Sequence, residues 1–238
     1  MKVEFNKEDG FYFGLFLIIF LLLFCNFFFK SQTFYERDST LLETPVRMHA
    51  VQLLKEGHFA LWTDSHGHGQ PFLANPKIAI FYPTTLLYLF LPFFVAFKIH
   101  YLIHAIIGWL GMYFLAKSYG LPKKSSFLAS SLFFFSGMYL SSFEFYNHIA
   151  AIAWMMWALY FQRLNRPVKS PVFFMNILAW VLLIFSGAPE FIIITGIMAF
   201  GQAILDYEHL KVHILKLVLA VFAASLIVAV QLLPSFEM

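Results

Sequence analysis

The sequence is short of charge and of cysteine, and each shortage excludes a class of protein. Only 12% of its 238 residues are charged and 61% are hydrophobic, whereas about a quarter of a typical soluble domain is charged. A single hydrophobic core in a chain of this length cannot bury so much apolar surface, so we expect much of the chain to be surrounded by lipid. The lone cysteine, Cys25, excludes an internal disulfide and a cysteine-based zinc site. The net charge of +3 gives no indication of nucleic-acid binding.

Long apolar runs fill most of the chain. About 20 apolar residues span a bilayer. The first run, residues 11–29, is longer than a signal-peptide core and does not end in small residues, so it predicts a retained anchor. The further candidate spans, several of them short, are 79–97, 99–116, 125–142, 149–162, 171–186, 190–205 and 213–233. The predicted fold class is all-α, a polytopic membrane helix bundle of about seven spans that forms one domain over residues 1–238.

Lysine and arginine are unevenly distributed among the predicted loops. Loops rich in these residues face the cytoplasm. The basic set comprises Lys117, Lys123 and Lys124, then Arg163, Arg166 and Lys169, then Lys211 and Lys216. The alternate loops, near 143–148, 187–189 and 234–238, carry neither residue type and should lie outside. Charge leaves the first loop open, because residues 79–97, which contain Pro83 and Pro92, could cross the membrane or form a re-entrant segment.

The polar stretch from Arg37 to Pro83 is where function is expected, because it lies between hydrophobic runs. Thr44 as a cap followed by Pro45 predicts the start of a helix, and Gly57 predicts its end. The residues that share its apolar face are Val46, Ala50, Leu53 and Leu54. This pattern indicates a short amphipathic helix on the membrane surface.

Arg37 and Asp38 come eight residues after the first span and are the first candidates for chemistry. A carboxylate acts as a base when it reaches the proton it removes, and an arginine binds phosphate with a planar fork of donors. The pair could therefore orient a hydroxyl nucleophile and a phosphate at the membrane surface. On spacing alone, a solvated charge pair beside a span is the commoner explanation.

Two histidine patterns raise the question of metal binding. Asp64, His66 and His68 are metal-ligand types in a glycine-rich segment that lets them converge. Two histidines in a polar loop are more often simply solvated, so a metal here is the minority interpretation. His100 and His104 lie one turn apart on a predicted helix, and without a third ligand they indicate interhelical hydrogen bonding.

Three polar islands interrupt the apolar runs on the side predicted to be outside. Glu144, Asn147 and His148 form the first, Glu190 after SGAP the second, and Glu237 after QLLPSF the third. Polar residues this close to membrane spans usually face a cavity or an interface. Three islands on one side suggest a shared site, whereas each of them alone would be ordinary loop polarity.

Taken in order, these elements resemble the YfhO-like family of bacterial membrane proteins, within the GT-C class of membrane glycosyltransferases. The resemblance is carried by Arg37-Asp38 after the first span, LLKEGHFALW, Gly69-Gln70-Pro71, ANPKIAIFYP, SGAPE and QLLPSFE. Departures are Thr63-Asp64, where the family has Asn-Pro, and Ala188 and Glu190, where it often has His and Gln. The family is several times longer, so the chain is expected to be an N-terminal portion, from a split gene, a truncated gene or a fragmentary record. The remainder of a split protein is therefore a candidate partner.

The resemblance implies a fold and a reaction. A sugar would pass from a polyprenyl-phosphate carrier in the membrane lipid to a cell-envelope acceptor outside the bacterial cytoplasmic membrane, with a divalent cation as a candidate cofactor. The N-terminus would be cytoplasmic, and residues 30–98 would form an outer loop before the remaining spans over 99–233. The implied catalytic residue is Asp38. The charged loop opposite polar islands on one membrane face predicts the substrate-binding residues Arg37, Arg47, Glu144, His148 and Glu190. The alternatives are a transporter or flippase of a lipid-linked substrate and a non-catalytic membrane scaffold.

Overall fold

The structure, a computed structural model, describes residues 6–30, 41, 43–59, 61–64, 68–164 and 166–237. The all-α prediction is confirmed. The α-helices of the described residues are α1 (Lys7–Leu23), α2 (Cys25–Phe29), α3 (Thr44–Lys55), α4 (Leu87–Phe90), α5 (Phe93–Ser118), α6 (Lys123–Phe134), α7 (Gly137–Ser141), α8 (Tyr146–Arg163), α9 (Pro171–Phe185), α10 (Pro189–Leu205), α11 (Leu210–Ile227) and α12 (Ala229–Glu237). Short 3-10 helices cover Pro76–Ile78, Pro83–Leu86, Ser142–Glu144 and Tyr207–His209. Two short strands, β1 (Trp62–Thr63) and β2 (Gln70–Pro71), pair antiparallel.

Helix α5 is the centre of the bundle and packs mainly against α8 and α6. Two glycines allow this close approach. A Cβ added at Gly108 would lie 2.6 Å from the Phe134 ring and 3.1 Å from the Cα of Ala153, and one at Gly111 would lie 2.9 Å from Met156. Small residues have this role at helix contacts in membranes, where close backbone approach replaces the hydrophobic effect.

Fewer helices than expected are long and apolar enough to cross a membrane. Within the described residues, Phe93–Ser118 and Tyr207–Ile227 meet that test. A third span results if Lys123–Phe134 and Gly137–Glu144, bent by 41° at their junction, count as one. Judged by length and composition, the described helices therefore provide fewer than the seven or so spans that were expected. Proline and glycine turns shorten the other apolar helices, as in α9 and α10, whose 15 and 17 residues rise only about 22–26 Å against a hydrocarbon core of about 30 Å.

The loops lie at two ends of the bundle. At one, here called the basic end, Lys117 and Lys123 reach the start of α1, and Arg163 donates to the Ser118 carbonyl at 3.4 Å. At the other, the loop end, the Tyr146 amide donates to the Glu43 carboxylate at 2.8 Å. The basic loops thus share one end with the N-terminal helix, and the polar loop meets the first polar island at the other.

Residues 79–92 form short segments at the loop end. The 3-10 helix Pro83–Leu86 and α4 together contain eight residues, which extend only about 12–16 Å. Thr85 Oγ1 donates to the Ala79 carbonyl at 2.8 Å, so the chain folds back on itself here. Helix α5 begins directly afterwards, at Phe93, six residues earlier than the predicted span.

The amphipathic helix is present, and its apolar face packs against the loop itself. The predicted face joins one cluster with Phe72, Ile78 and Ile80. Gly57 ends the helix with φ +78°, as predicted. The predicted cap is wrong: Thr44 is the first helical residue, and Glu43, in the cap position, makes no side-chain capping bond because its carboxylate binds Tyr146.

Gly69 shapes the turn that returns the loop to the bundle. Its φ of +91° is a conformation that residues with a side chain rarely adopt. A Cβ there would lie 2.8 Å from the Trp62 ring, which is held by a 2.8 Å bond from Nε1 to Asp64 Oδ1. The conformation and the close contact together require glycine at this position.

Asp9 accepts three hydrogen bonds at the basic end. Its side chain is fully buried and accepts hydrogen bonds from the Tyr113 hydroxyl at 2.5 Å, Lys117 Nζ at 3.0 Å and the Asn6 amide at 2.8 Å. Burial raises the pKa of this carboxyl, but the bonds from Tyr113, Asn6 and Lys117 outweigh burial and lower the pKa below its ordinary value. Because the folded-state pKa is lowered, this stabilisation is present above the unfolded value and is lost as pH falls through the folded one.

We expect Asp9→Asn to lower the free energy of unfolding by roughly 3 kcal/mol at neutral pH, because it removes the carboxylate charge from a buried ion pair and weakens the bonds that Tyr113 and Asn6 donate to it. The measurement is the Tm of the detergent-solubilised protein. Glu8→Gln is the matched control, since Glu8 is about half exposed in its contact with Lys123 and exposed pairs contribute little. Equal Tm values for the two variants would show that the Asp9 contacts do not stabilise the fold.

Candidate functional site at the loop end

The sequence-predicted site residues divide into three groups. Arg37, Asp38 and His66 lie outside the described residues, so their predicted roles stay predictions. Three others come together at the loop end with one residue that had no assigned role. We call this set the loop-end cluster, which consists of Arg47, Asn147, His148 and Glu190.

Arg47 is a buried cross-link between the loop and α8. Its side chain is only 3% exposed. The guanidinium donates to the carbonyls of Ile78 at 3.3 Å and Lys77 at 3.1 Å and to Asn147 Oδ1 at 2.8 Å. Its Cζ lies 3.7 Å from the centre of the Tyr146 ring, in cation–π contact. These protein groups occupy both terminal nitrogens, so the geometry gives Arg47 a structural role, and its contact with a phosphate stays a prediction.

Asn147 joins three parts of the chain. While its Oδ1 accepts from Arg47, its Nδ2 donates to the Lys77 carbonyl at 2.9 Å and to the Gly187 carbonyl at 3.4 Å. Gly187 has φ +79°, and a Cβ there would overlap the Pro76 carbonyl. From the sequence, Asn147 was assigned only to a polar island. The feature that could have identified it is an amide side chain in the first turn of an apolar helix, because a buried amide needs hydrogen-bond partners for both its oxygen and its nitrogen.

His148 and Glu190 form the exposed part of the cluster. His148 Nε2 lies 2.6 Å from Glu190 Oε1, and their side chains are 24% and 47% exposed. Burial lowers the pKa of His148, the Glu190 carboxylate raises it, and the net pKa lies below the ordinary value. The imidazole is therefore mainly neutral at pH 7, and Nε2–H donates to the carboxylate.

Glu144, Asp64 and His68 stand apart from the cluster. Glu144 is partly exposed at the end of a 3-10 helix, and no hydrogen bond or ion pair links it to another described residue. Within the part of the chain that the structure describes, no group of three His, Cys, Asp or Glu residues could hold a metal ion. Because His66 is not among those residues, the trio of Asp64, His66 and His68 stays a prediction.

The third island also reaches the loop. Gln231 Nε2 donates to the Leu73 carbonyl at 2.8 Å, and Ser235 Oγ donates to the Ala74 carbonyl at 2.7 Å. Beside these bonds lies a mostly apolar pocket of about 260 Å³. Its walls include Pro76, Gly187, Pro189, Ile192, Leu232 and Phe236. Residues of α12, of the start of α10 and of the ANPKIAIFYP segment thus line one pocket.

A buried hydrogen-bond chain fixes the FYP end of that segment. His104 Nδ1 lies 2.7 Å from the His100 carbonyl, so it carries the proton, and Nε2 accepts from the Tyr82 hydroxyl at 2.6 Å. The Tyr82 oxygen in turn accepts from Trp154 Nε1 at 2.6 Å. His100 likewise accepts from Thr84 at Nδ1, at 2.7 Å. The predicted interhelical bond is made by His100, whose Nε2 donates to the Tyr146 carbonyl of α8 at 3.2 Å. His104 instead bonds to the loop, through Tyr82.

Comparison with known proteins adds no identification. Neither a family model, a curated protein nor a solved structure matches the chain. What the structure defines is a class, an all-α helix bundle with polar residues gathered at one end. In the part of the chain that the structure describes, two or three helices are suited to crossing a membrane. The likeness to the YfhO-like family rests on the residues quoted above and stays a prediction.

Proposed function

We propose that the chain is a membrane glycosyltransferase, or the N-terminal part of one, that transfers a sugar from a polyprenyl-phosphate carrier to a cell-envelope acceptor. The observation that carries the proposal is that the first and third polar islands bind one loop and that the second island binds the first. Asn147 reaches Lys77 and Gly187, His148 reaches Glu190, and the last helix reaches Leu73 and Ala74. Polar groups gathered at one end of an apolar bundle suit a site at a membrane face.

The proposed topology is of the GT-C type, with about seven crossings. The basic end would face the cytoplasm together with the N-terminus, and residues 30–98 would lie outside. Crossings would be made by α1 with α2, α5, α6 with α7, α8, α9, α10, and α11. The grouping of Lys117, Lys123 and Arg163 at one end supports this orientation.

Within this topology each predicted residue has a role. Asp38 receives the acceptor's proton or holds a divalent cation against the donor phosphate, and Arg37 contacts that phosphate. Glu144, His148 and Glu190 line the opposite wall. The apolar pocket beside Pro189 and Ile192 suits part of the carrier's hydrocarbon chain.

The bent pair of α6 and α7 is the one observation that favours a transporter or flippase of a lipid-linked substrate. Broken helices near the membrane midplane form the binding sites of many transporters. Their 41° bend occurs at Phe135 and Ser136, between the two helices. Such a protein would move the lipid-linked sugar and leave its glycosidic bond intact, so an assay of sugar transfer separates the two functions.

The orientation is tested by cysteine labelling with a membrane-impermeant maleimide. In a Cys25→Ser background, we expect the Ser65→Cys variant to be labelled in intact cells, because position 65 lies in the proposed outer loop. The Val168→Cys variant, at the basic end between α8 and α9, should be labelled only after the membrane is opened. The reverse pattern would place the loop end in the cytoplasm and would exclude transfer outside the cell.

A further inference from the structure

The pairing of His148 with Glu190 leaves one ring nitrogen unused. Nε2 is bound to the carboxylate at 2.6 Å, and none of the described residues hydrogen-bonds to Nδ1. We propose that His148 Nδ1 is the atom that accepts the proton of the acceptor hydroxyl, with Glu190 as the residue that positions it. This inference rests on the proposed function and leaves Asp38 the role of holding a cation against the donor phosphate.

The geometry determines which nitrogen is free to accept a proton. A carboxylate only accepts hydrogen bonds, so Nε2 carries the hydrogen and Nδ1 carries the lone pair. The ring is held on two sides by Phe145 and Phe191, whose centres lie 4.5 Å and 5.1 Å from its own. A base oriented by a third group is the arrangement that activates a weak nucleophile such as a hydroxyl.

The charges around His148 suit a neutral base at pH 7. Glu190 faces it from α10, and Lys77 acts on it from the 3-10 turn at Pro76–Ile78. Burial, which has the largest effect, and Lys77 lower the pKa, and Glu190 partly offsets them. A general base works best when its pKa lies near the working pH.

The proposed step is balanced in atoms and electrons. The O–H bond of the acceptor breaks, and its proton moves to Nδ1. The oxygen's electron pair forms the new bond to the anomeric carbon of the sugar. The bond from that carbon to the phosphate oxygen breaks, and its electron pair leaves with the lipid phosphate. The imidazolium then releases its proton to water.

The experiment compares sugar transfer from a polyprenyl-phosphate donor across pH for wild type, His148→Gln, Glu190→Gln and His209→Gln. The assay contains any further protein that completes the transferase. We expect His148→Gln to lower kcat by about a hundredfold or more. His209→Gln, at the basic end, serves as the matched control and should keep the wild-type rate.

The Glu190→Gln variant distinguishes a positioning role of Glu190 from a purely structural one. Transfer requires neutral His148, so the rate falls as pH drops through its pKa. Loss of the carboxylate removes the effect that raises this pKa, so the acid limb of the profile should move to lower pH. An unmoved limb together with a wild-type rate in His148→Gln would overturn the inference.

Nitrogen-15 NMR of the histidine rings distinguishes a failure of this inference from a failure of the proposed function. The inference expects His148 to be protonated at Nε2 and not at Nδ1 at pH 7, and expects this preference to weaken in Glu190→Gln. Active wild type with unaffected His148→Gln would refute the assignment of His148 alone. Absence of transfer by wild type would refute the proposed function and the catalytic role with it, even if the NMR shows the expected tautomer.

Discussion

Replacing Asp38 with Asn is expected to slow sugar transfer by about a hundred- to ten-thousand-fold if Asp38 receives the acceptor's proton, the range that a positioned general base contributes. If His148 receives that proton and Asp38 holds the cation, the expected loss lies near the lower part of that range. The side chain keeps almost the same shape, so the amount of protein in the membrane should not change. The measurement is the rate of transfer from a polyprenyl-phosphate sugar, normalised to protein level.

The matched control is Glu56→Gln, which removes a carboxylate from the same loop. Glu56 is exposed at the end of α3 and accepts only a 2.9 Å bond from Gln52, on the same helix. We expect it to transfer at the wild-type rate. If Asp38→Asn also did so, Asp38 would have neither of its proposed roles.

The second large effect is expected for Arg47→Met, which should lower the free energy of unfolding by roughly 3–5 kcal/mol. The change leaves the Ile78 carbonyl and the Asn147 amide oxygen buried without their donor, and each such loss costs about 1–3 kcal/mol. The Lys77 carbonyl keeps its bond from Asn147 Nδ2. The cation–π contact with Tyr146 is lost as well. The Arg47→Lys variant is expected to keep only part of this stability, because one ammonium group cannot reproduce the planar fork of donors of a guanidinium.

The measurement is the Tm in detergent together with the rate at which a protease cuts near residues 58–70. Undocking of the loop should accelerate cleavage there. Lys55→Met is the control, since Lys55 is exposed on the same helix. A stable Arg47→Met protein that has lost transfer would instead support the predicted phosphate contact.

Local features of the fold could be predicted because they depend on neighbouring residues. Gly57 was predicted to end α3, and it adopts the positive φ that such a helix end favours. The apolar face of α3 follows from helical periodicity alone. The number of spans was less predictable, since an apolar stretch such as 190–205 looks the same in sequence whether its helix is long enough to cross or stops short.

The site could be predicted only in part, because its contacts join distant positions. Arg47 and Asn147 are 100 residues apart, and no periodicity connects them. Polarity indicated that the islands at His148 and Glu190 belong together, but only the folded chain shows that they meet. The role of Tyr82 as the hydrogen-bond partner of His104 and Trp154 was hidden for the same reason.

The central claim is that the loop end is a site of sugar transfer. The most direct test is to reconstitute the chain in liposomes, with any further protein that completes it, and to supply a polyprenyl-phosphate donor labelled in its sugar. The account predicts that the label moves from lipid to acceptor, at a rate that falls in the Asp38→Asn variant. Label that remains on the lipid, or that only crosses the bilayer with its lipid still attached, would contradict it.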